Sequence, residues 1–208
     1  MNAMKILKTL VFTALFAATA MAQNQVLSGI TWNIGLPSGR MSDFMDKASF
    51  GGFAIEGRRF LSEEFSVGGS FSWNYWSELT DQTIPLEHGA VGGTQIRYIN
   101  SFPFLVNAHY YIGDRKDQIR PYLGLNVGAY YILQRLDIGV WSFQNDHWHF
   151  GLAPEAGFMI EMSRGTYFMA TARYNYAFDS GSTMGGDSKN TYAYWGINLG
   201  VSWMSGWF

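Results

Sequence analysis

The 208-residue chain contains no cysteine, so it can form neither a disulfide bond nor a thiolate metal site. Charged residues make up only 14% of the chain, compared with roughly 25% in ordinary soluble proteins. Beyond residue 22, no apolar run reaches the ~18 consecutive residues that indicate a transmembrane helix. These absences exclude a disulfide-stabilised domain and a helical membrane protein.

The first 22 residues have the pattern of a cleaved secretory signal peptide. Lys5 and Lys8 form a basic start, residues 10–18 are apolar, and Ala20-Met21-Ala22 fits a small-x-small cleavage site before Gln23. An uncleaved membrane anchor is the alternative, but this apolar run is far short of the ~20 residues that span a bilayer. No cysteine follows it, which excludes a lipoprotein of the usual kind. We therefore predict one mature domain at residues 23–208.

The remaining composition narrows the class of protein. Without Lys5 and Lys8, 12 basic residues stand against 16 acidic ones, a net charge of −4, which argues against a nucleic-acid partner. Aromatic residues reach 17% and there are 24 glycines. An exported, aromatic-rich, charge-poor chain without a spanning helix favours a transmembrane β-barrel.

Residues 119–134, IRPYLGLNVGAYYILQ, show the pattern on which this prediction rests. Leu123, Leu125 and their alternate neighbours form an apolar face, whereas Arg120 and Asn126 belong to a polar, glycine-rich face on which Ile132 is the aliphatic exception. A period of two indicates a strand, here about three times the ~5–6 residues of a usual strand. Eight segments repeat the alternation: 29–36, 50–60, 65–76, 94–112, 119–134, 148–162, 167–178 and 191–203.

The connections between these segments alternate in length. Residues 61–64, 113–118 and 163–165 are short, whereas residues 37–49, 77–93, 135–147 and 179–190 are longer. Short periplasmic turns and long external loops are typical of a bacterial outer-membrane barrel, and an even strand number places both termini in the periplasm. Pro103 and Pro154 fall inside strands, where each removes a ladder hydrogen bond, so we expect a β-bulge at both.

Periodicity does not tell which face points outward, because a soluble lipocalin-like barrel has its apolar face inside. The mature chain has only three lysines, Lys47, Lys116 and Lys189, all in predicted loops or turns. The apolar faces carry charge only at strand ends, at Arg59 and Arg135, as expected if a charge at the bilayer midplane costs about 2–4 kcal/mol. We therefore predict that the apolar faces meet lipid.

Outward aromatic residues support the same orientation, because tryptophan and tyrosine concentrate at membrane–water interfaces. They lie toward the strand ends: Trp32, Trp73, Tyr75, Tyr110, Trp148, Tyr174, Tyr176 and Trp203. Intrinsic strand propensity of aromatic residues is the alternative explanation. It does not account for the central positions of valine, leucine, isoleucine and alanine.

The leader, the eight alternating segments, the RPYLGLNVGAYY stretch and the terminal Phe208 resemble the small bacterial outer-membrane β-barrels. The resemblance is to the OmpA- and OmpW-like porin-family barrels of Gram-negative bacteria, particularly those of Bacteroidetes, and covers the mature chain. It implies an eight-stranded antiparallel up-and-down barrel in the outer membrane. It also implies that Phe208 helps the outer-membrane assembly machinery recognise the C-terminal strand. Trp203 and Phe208 differ in phase, which a bulge or a tail after the strand would explain.

The inward faces supply the candidate site, a polar network in the lumen. It comprises Glu56, Arg58, Arg97, Asn107, His109, Arg120, Asn126, His149, Glu155, Glu161, Arg173, Asn175 and Asn198. An eight-stranded lumen is just wide enough for side chains, and charges inside it must be paired. We predict a largely filled lumen, and a structural or minor low-conductance channel role. A narrow, gated passage for a small solute is the alternative.

An acyl-modifying enzyme of the outer membrane, a metal site and a soluble exported lipid-binding barrel are competing hypotheses. An acyl-modifying enzyme needs a nucleophile beside an oriented histidine, and here Phe150 and Gly151, not serine, follow His149. His147 and His149 share a face, but two histidines without a fixed third ligand are weak evidence for metal. We predict no catalytic residue, no metal and no cofactor. Nine acidic residues in the long loops suggest cation-bridged contact with lipopolysaccharide, so the expected partners are outer-membrane lipid and lipopolysaccharide.

Overall fold

A computed structural model describes residues 25–86, 89–180 and 191–206, with side chains outside residues 80–94. The predicted signal peptide and Phe208 lie outside these residues. Eight strands and one short helix follow one another along the chain. They are β1 (Val26–Ser38), α1 (Arg40–Phe44), β2 (Ser49–Phe60), β3 (Phe65–Leu86), β4 (Gly89–Tyr111), β5 (Ile119–Ile138), β6 (Trp141–Ser163), β7 (Thr166–Ala177) and β8 (Tyr192–Ser205).

The strands form one closed antiparallel barrel in chain order. β1 pairs with β2 on one side and with β8 on the other, where the ladder runs from Val26↔Ser205 to Ser38↔Ala193. Closure gives every strand two neighbours, so the sheet has no free edge within the barrel wall. The predicted fold class, an eight-stranded up-and-down barrel, is confirmed.

The alternation in each strand separates an apolar outside from a mainly polar inside. Outward side chains are largely exposed, with Val106 at 68% and Leu123 at 54%, whereas the inward side chains of His109 and Asn126 are fully buried. A soluble barrel would show the reverse arrangement. A continuous exposed apolar surface of this kind is stable against lipid rather than against water.

Outward aromatic rings contact one another across four neighbouring strands. Trp73 stacks on Phe102 at 6.5 Å between ring centroids, Phe102 lies 6.1 Å from Tyr131, and Tyr131 lies 5.2 Å from Trp148. We call these four residues the outer aromatic row. Aromatic rings on the lipid-facing wall of a barrel typically form a belt at the membrane–water interface, where one side of the ring meets lipid and the other meets the polar headgroups.

The prediction of long loops at residues 77–93 and 135–147 is wrong. β3 and β4 continue through residues 77–86 and 89–93, and β5 and β6 continue to a tight turn at Gly139, whose φ is 57°. In residues 135–147 the alternation continues, but its phase reverses. Leu136, Ile138, Trp141 and Phe143 have the inward parity, and the outward parity carries Arg135, Asp137, Ser142, Gln144 and Asp146. A search for an apolar outward face therefore misses this part of the hairpin, although its strands remain paired.

The predicted loop 37–49 contains α1, which lies against the external mouth of the barrel. Its residue Met41 and the following Met45 are buried, at 3% and 0% exposure. The Met45 amide donates to the Met41 carbonyl at 2.8 Å, and the extended backbone of Met45, with φ −137° and ψ 111°, ends the helix after a single turn. Most of the predicted loop 179–190 lies outside the described residues.

The bulge predicted at Pro103 is absent. Pairing of β3 with β4 passes from Phe71↔Phe104 to Asn74↔Ser101 with the same register on both sides of the gap. Proline cannot donate a backbone hydrogen bond, so pairing is interrupted on one side of the strand. An interruption without an inserted residue leaves the register unchanged.

Pro154 behaves in the same way, so the second predicted bulge is also wrong. Pairing of β6 with β7 passes from Leu152↔Tyr176 to Glu155↔Arg173 without a shift. The register shifts that do occur in the described ladders lie between Asn33 and Gly35 and between Glu161 and Ser163. Both are near strand ends, where an extra residue disturbs few neighbouring pairs.

Candidate functional site

A cluster of charged side chains in the middle of the lumen joins opposite walls of the barrel. Glu155 on β6 lies at its centre, with its side chain fully buried. Its Oε2 accepts hydrogen bonds from Arg173 Nε at 2.6 Å and Asn126 Nδ2 at 2.9 Å. Its Oε1 lies 2.6 Å from His109 Nε2 and 3.5 Å from Arg58 Nη2. Because β2 and β6 are diametrically placed among eight strands, the contact between Arg58 and Glu155 crosses the lumen.

Arg58 connects this centre to three further side chains. Its Nη2 donates to Glu56 Oε2 at 3.0 Å and to the Tyr122 hydroxyl at 3.3 Å, and its Nη1 donates to the Tyr111 hydroxyl at 3.2 Å. The guanidinium carbon also lies 4.5 Å from the centroid of the Tyr122 ring, within cation–π range. One arginine therefore links β2, β4, β5 and β6.

We call Glu56, Arg58, His109, Glu155 and Arg173 the lumen ion cluster. It holds two guanidinium groups and two carboxylates, and His109 in its neutral form donates from Nε2 to Glu155, so the charges balance. Burying charges is unfavourable unless they are paired and hydrogen-bonded. Each carboxylate of the cluster lies within 3.5 Å of a guanidinium nitrogen, while Glu56 Oε1, Arg58 Nε and His109 Nδ1 are buried without a hydrogen-bond partner among the described residues.

Glycines on the inner face make room for these large side chains. A Cβ atom on Gly124 would lie 2.5 Å from the His109 ring and 2.8 Å from Glu155 Cγ, and one on Gly151 would lie 2.6 Å from the Tyr130 ring. Carbon atoms do not approach this closely without displacement. The glycines of the polar faces therefore make room for large side chains of the neighbouring strands.

The periplasmic end of the lumen is closed by an apolar layer. Its buried members are Leu27, Phe60, Tyr111, Tyr122, Met159 and Met169. Arg120 lies beside this layer, where its guanidinium carbon is 4.8 Å from the centroid of the Tyr111 ring and its Nη2 donates to the Glu63 backbone carbonyl. Arg120 was predicted to belong to the polar network, and the structure places it beside this terminal layer, away from the ion cluster.

A second apolar layer lies toward the external end. It contains the buried residues Met41, Met45, Trp76, Ile99, Leu105, Tyr130, Ile132, Ala153, Ala177, Tyr192 and Tyr194. Arg97 holds α1 against it, because Arg97 Nη1 donates to the Phe44 backbone carbonyl at 3.1 Å and its guanidinium lies 5.2 Å from the Phe44 ring centroid. The ion cluster is thus enclosed between two apolar layers.

The remaining predicted lumen residues lie along the inner face, apart from the ion cluster. Asn107, Asn175, Asn198 and His149 are buried, and Glu161 near the periplasmic end of β6 is half-buried. Asn175 Oδ1 accepts from the Tyr130 hydroxyl at 3.2 Å, and His149 Nδ1 lies 2.9 Å from the Phe178 carbonyl oxygen. These contacts satisfy single polar groups and do not form a second charged centre.

Inner tyrosines are the residues that the sequence prediction of this site omitted. Tyr111 and Tyr122 bind Arg58, and the Tyr194 hydroxyl lies 3.4 Å from Ser101 Oγ. Their strand positions have the same parity as the predicted inward residues, which was the available signal. Parity shows that a tyrosine points inward, but it does not show which arginine the hydroxyl reaches.

The contact between His109 and Glu155 is enclosed within the lumen. His109 and Glu155 have the spacing of an acid–base pair, but both side chains are 0% exposed, and a general base must reach the proton that it removes. His147 Nε2 lies 2.6 Å from Asn145 Oδ1. Over residues 25–86, 89–180 and 191–206, no group of three histidine, aspartate or glutamate side chains is placed to hold a metal ion. The same residues include no helix long and apolar enough to cross a membrane.

The apolar outer wall, the paired charges inside and the closed eight-stranded ring define the fold of a small outer-membrane β-barrel. No protein-family model and no curated protein matches the sequence. Among solved structures, the chain is similar to Ail, the attachment invasion locus protein of Yersinia pestis, in complex with the heparin analogue sucrose octasulfate. The TM-score is 0.53 at 12% identity, over 88% of this chain and 99% of Ail.

Uncomplexed Ail gives a TM-score of 0.52 with the same identity and coverage. Neisserial surface protein A gives 0.49 at 14% identity, over 88% of this chain and 96% of that protein. The predicted likeness to the small outer-membrane β-barrels is therefore confirmed at the level of the fold.

Proposed function

We propose that this protein is a structural barrel, or a minor low-conductance channel, of the bacterial outer membrane, with a lumen largely filled by its own side chains. The contact between Arg58 and Glu155 is the observation that supports this proposal most directly. It joins opposite walls at 3.5 Å through side chains that are 1% and 0% exposed. A solute passing through the barrel would have to break this ion pair within a low-dielectric environment.

The apolar layers on both sides of the ion cluster support the same function. Phe60 and Tyr111 pack at 5.1 Å between ring centroids on the periplasmic side, and Trp76 and Tyr194 pack at 5.0 Å on the external side. An eight-stranded barrel has just enough internal space for such side chains. Permanent diffusion of hydrated solutes, as in the large porins, does not fit this arrangement.

Export and assembly are part of the proposal. We expect cleavage before Gln23, which gives the mature domain of residues 23–208, and recognition of the C-terminal strand by the outer-membrane assembly machinery. The described part of β8 carries an alternating outer face with Trp195, Val201 and Trp203 exposed, as expected for a strand that faces lipid. Outer-membrane lipid and lipopolysaccharide are then the permanent neighbours of the outer wall.

Planar-bilayer recording of the purified barrel tests whether the lumen is filled. We expect the unmodified protein to give small, infrequent current steps, and the Arg58→Ala/Glu155→Ala double variant to give larger and more frequent ones. This pair of substitutions removes the contact across the lumen but leaves Arg173 and Glu56 to balance each other. An Arg59→Ala variant on the outward face is the control and should behave like the unmodified protein.

Large, steady, ohmic steps from the unmodified protein, with no increase in the double variant, would contradict the proposal. That result would show that ions follow a route that these two side chains do not obstruct. An open passage through the lumen would then be the better description of the barrel.

A further inference from the structure

A cavity with a volume of about 330 Å³ lies on the outside of the barrel wall, across β3, β4, β5 and β6. We call it the outer-rim hollow. It is lined by Tyr75, Tyr98, Asn100, Arg135, Asp137 and Gln144, with Leu133 below them. It does not belong to the lumen, since its residues have the outward parity of their strands.

The strand register places the polar members of this hollow side by side. Tyr98 lies directly opposite Arg135, Arg135 lies opposite Gln144, and Tyr75 lies opposite Asn100. Residues that oppose each other in antiparallel strands have side chains on the same face, with Cβ atoms about 4.5–5.5 Å apart. The hollow is therefore fixed by the sheet and does not depend on the conformation of a loop.

Its height on the barrel places it among lipid headgroups. Arg135 is four residues beyond Tyr131 of the outer aromatic row on β5, and the aromatic rings mark the boundary of the apolar band. A strand tilted by about 40° rises ~2.5 Å per residue along the membrane normal. Arg135 therefore lies roughly 10 Å outside that boundary, beyond the acyl chains.

The lining combines ring faces with exposed planar polar groups. Tyr75 and Tyr98 are stacked, with ring centroids 6.1 Å apart and an interplanar angle of 26°. Arg135 Nε donates to Asp137 Oδ1 at 2.8 Å, and these side chains remain 46% and 21% exposed. Because the two charges balance, the hollow offers donors and acceptors without a strong preference for a free anion.

We propose that the outer-rim hollow binds a sugar ring in the saccharide headgroup of an outer-leaflet glycolipid. The apolar C–H face of a pyranose packs on an aromatic ring, and its adjacent hydroxyl groups match the paired donors and acceptors of Arg135, Asp137 and the Asn100 and Gln144 amides. This inference rests on the proposed location in the outer membrane.

The surface below the hollow favours a saccharide that is attached to a lipid over a free saccharide. Leu133 forms the lower wall of the hollow, and the rings of the outer aromatic row lie around the barrel below it, with Tyr131 two residues from Leu133 on β5. A glycolipid would place its sugar in the hollow and its acyl chains on these rings. A free saccharide would gain only the polar half of this interaction.

Retention of glycolipid by the purified, detergent-extracted full chain tests this inference. Native mass spectrometry after incubation with lipopolysaccharide should show about tenfold weaker binding for Tyr98→Ala and for Arg135→Ala than for the unmodified barrel. Tyr176→Ala and Arg59→Ala, which remove an outward tyrosine and an outward arginine elsewhere on the wall, should bind as the unmodified barrel does. Phospholipid alone should show no difference among the five proteins.

Equal lipopolysaccharide binding by all five proteins would overturn the inference. Binding of the free core oligosaccharide as tightly as the intact glycolipid would also overturn it, since the acyl chains would then contribute nothing. If these variants still migrate as folded barrels before heating, either result contradicts only the glycolipid site and leaves the proposed function standing. Loss of the folded barrel in the unmodified protein would instead contradict the proposed function.

Discussion

Glu155 receives contacts from four side chains of the lumen, among them Arg173 at 2.6 Å and Arg58 at 3.5 Å. Removing one member of a buried ion pair leaves an uncompensated charge, which typically costs 3–5 kcal/mol. We expect Glu155→Gln to lower the free energy of unfolding by about 3 kcal/mol. Urea unfolding of the barrel in phospholipid vesicles, followed by tryptophan fluorescence, measures the change.

Glu161→Gln is the matched control for this prediction, because Glu161 lies on the inner face of the same strand but outside the ion cluster. It is half-buried near the periplasmic end, where water can solvate the carboxylate. We expect a loss of about 0.5 kcal/mol or less, as for most exposed positions. Equal losses at the two positions would show that the cluster has no special contribution to stability.

A substitution at Gly124 tests how tightly the lumen ion cluster is packed. In Gly124→Ala the new methyl group would meet the His109 ring at 2.5 Å and Glu155 Cγ at 2.8 Å. Forcing a methyl group into a packed interior costs about 1–3 kcal/mol, so we expect a loss of stability in that range by urea unfolding.

Gly57→Ala provides the comparison for Gly124, because a Cβ atom there has no described atom within 4 Å. It should unfold at the same urea concentration as the unmodified barrel, or slightly higher, because alanine restricts the unfolded chain. A Gly124→Ala barrel as stable as Gly57→Ala would mean that His109 and Glu155 have room to move apart.

At the scale of the strands, the hairpin of β5 and β6 extends beyond the external end of the barrel, with Val140 at 94% exposure. Since the chain has no native cysteine, single-cysteine variants report topology cleanly. We expect a membrane-impermeant maleimide to label Val140→Cys in intact cells and to leave Lys116→Cys, in the turn between β4 and β5, unlabelled. Lysed cells should label both variants.

Labelling of Lys116→Cys but not of Val140→Cys in intact cells would reverse the assigned orientation. Labelling of both would place the two ends of the barrel in the same compartment. Neither outcome is compatible with strands that cross the outer membrane once each and with short turns on the periplasmic side.

The sequence predicts the strands well wherever one face meets lipid and the other meets the lumen. Leu123 and Asn126 on β5 lie on the predicted sides of the wall. The prediction of loops fails at residues 77–93 and 135–147, where the strands stay paired. At residues 135–147 the alternation reverses its phase, and Trp141 and Phe143 are more than half exposed. The prediction of bulges also fails at Pro103 and Pro154, since a lost hydrogen bond does not require an inserted residue.

The lumen network is only partly predictable for a related reason. Alternation identifies Arg58 and Glu155 as inward residues, but their contact depends on the stagger of all the strands between β2 and β6. Stagger is set by closure of the whole ring, so the sequence of neither strand indicates it. Sequence parity therefore predicts the members of the network but not the pairs within it.

At the scale of the whole molecule, an apolar outer wall surrounds a polar interior that contains the lumen ion cluster, and the outer wall is not stable in bulk water. Val106 and Leu123 are more than half exposed, whereas His109 and Asn126 are fully buried. Transfer of the outer wall from water to hydrocarbon supplies the hydrophobic stabilisation that a soluble protein obtains from its core. The barrel should therefore persist only in a bilayer or detergent.

Gel mobility of the outer-membrane fraction, extracted with detergent and run with and without heating, tests this central claim most directly. The barrel should be found in that fraction, and the unheated protein should migrate faster than the heated protein, because the closed sheet stays compact until it is heated. Recovery in the soluble periplasmic fraction, with one mobility before and after heating, would contradict a membrane barrel.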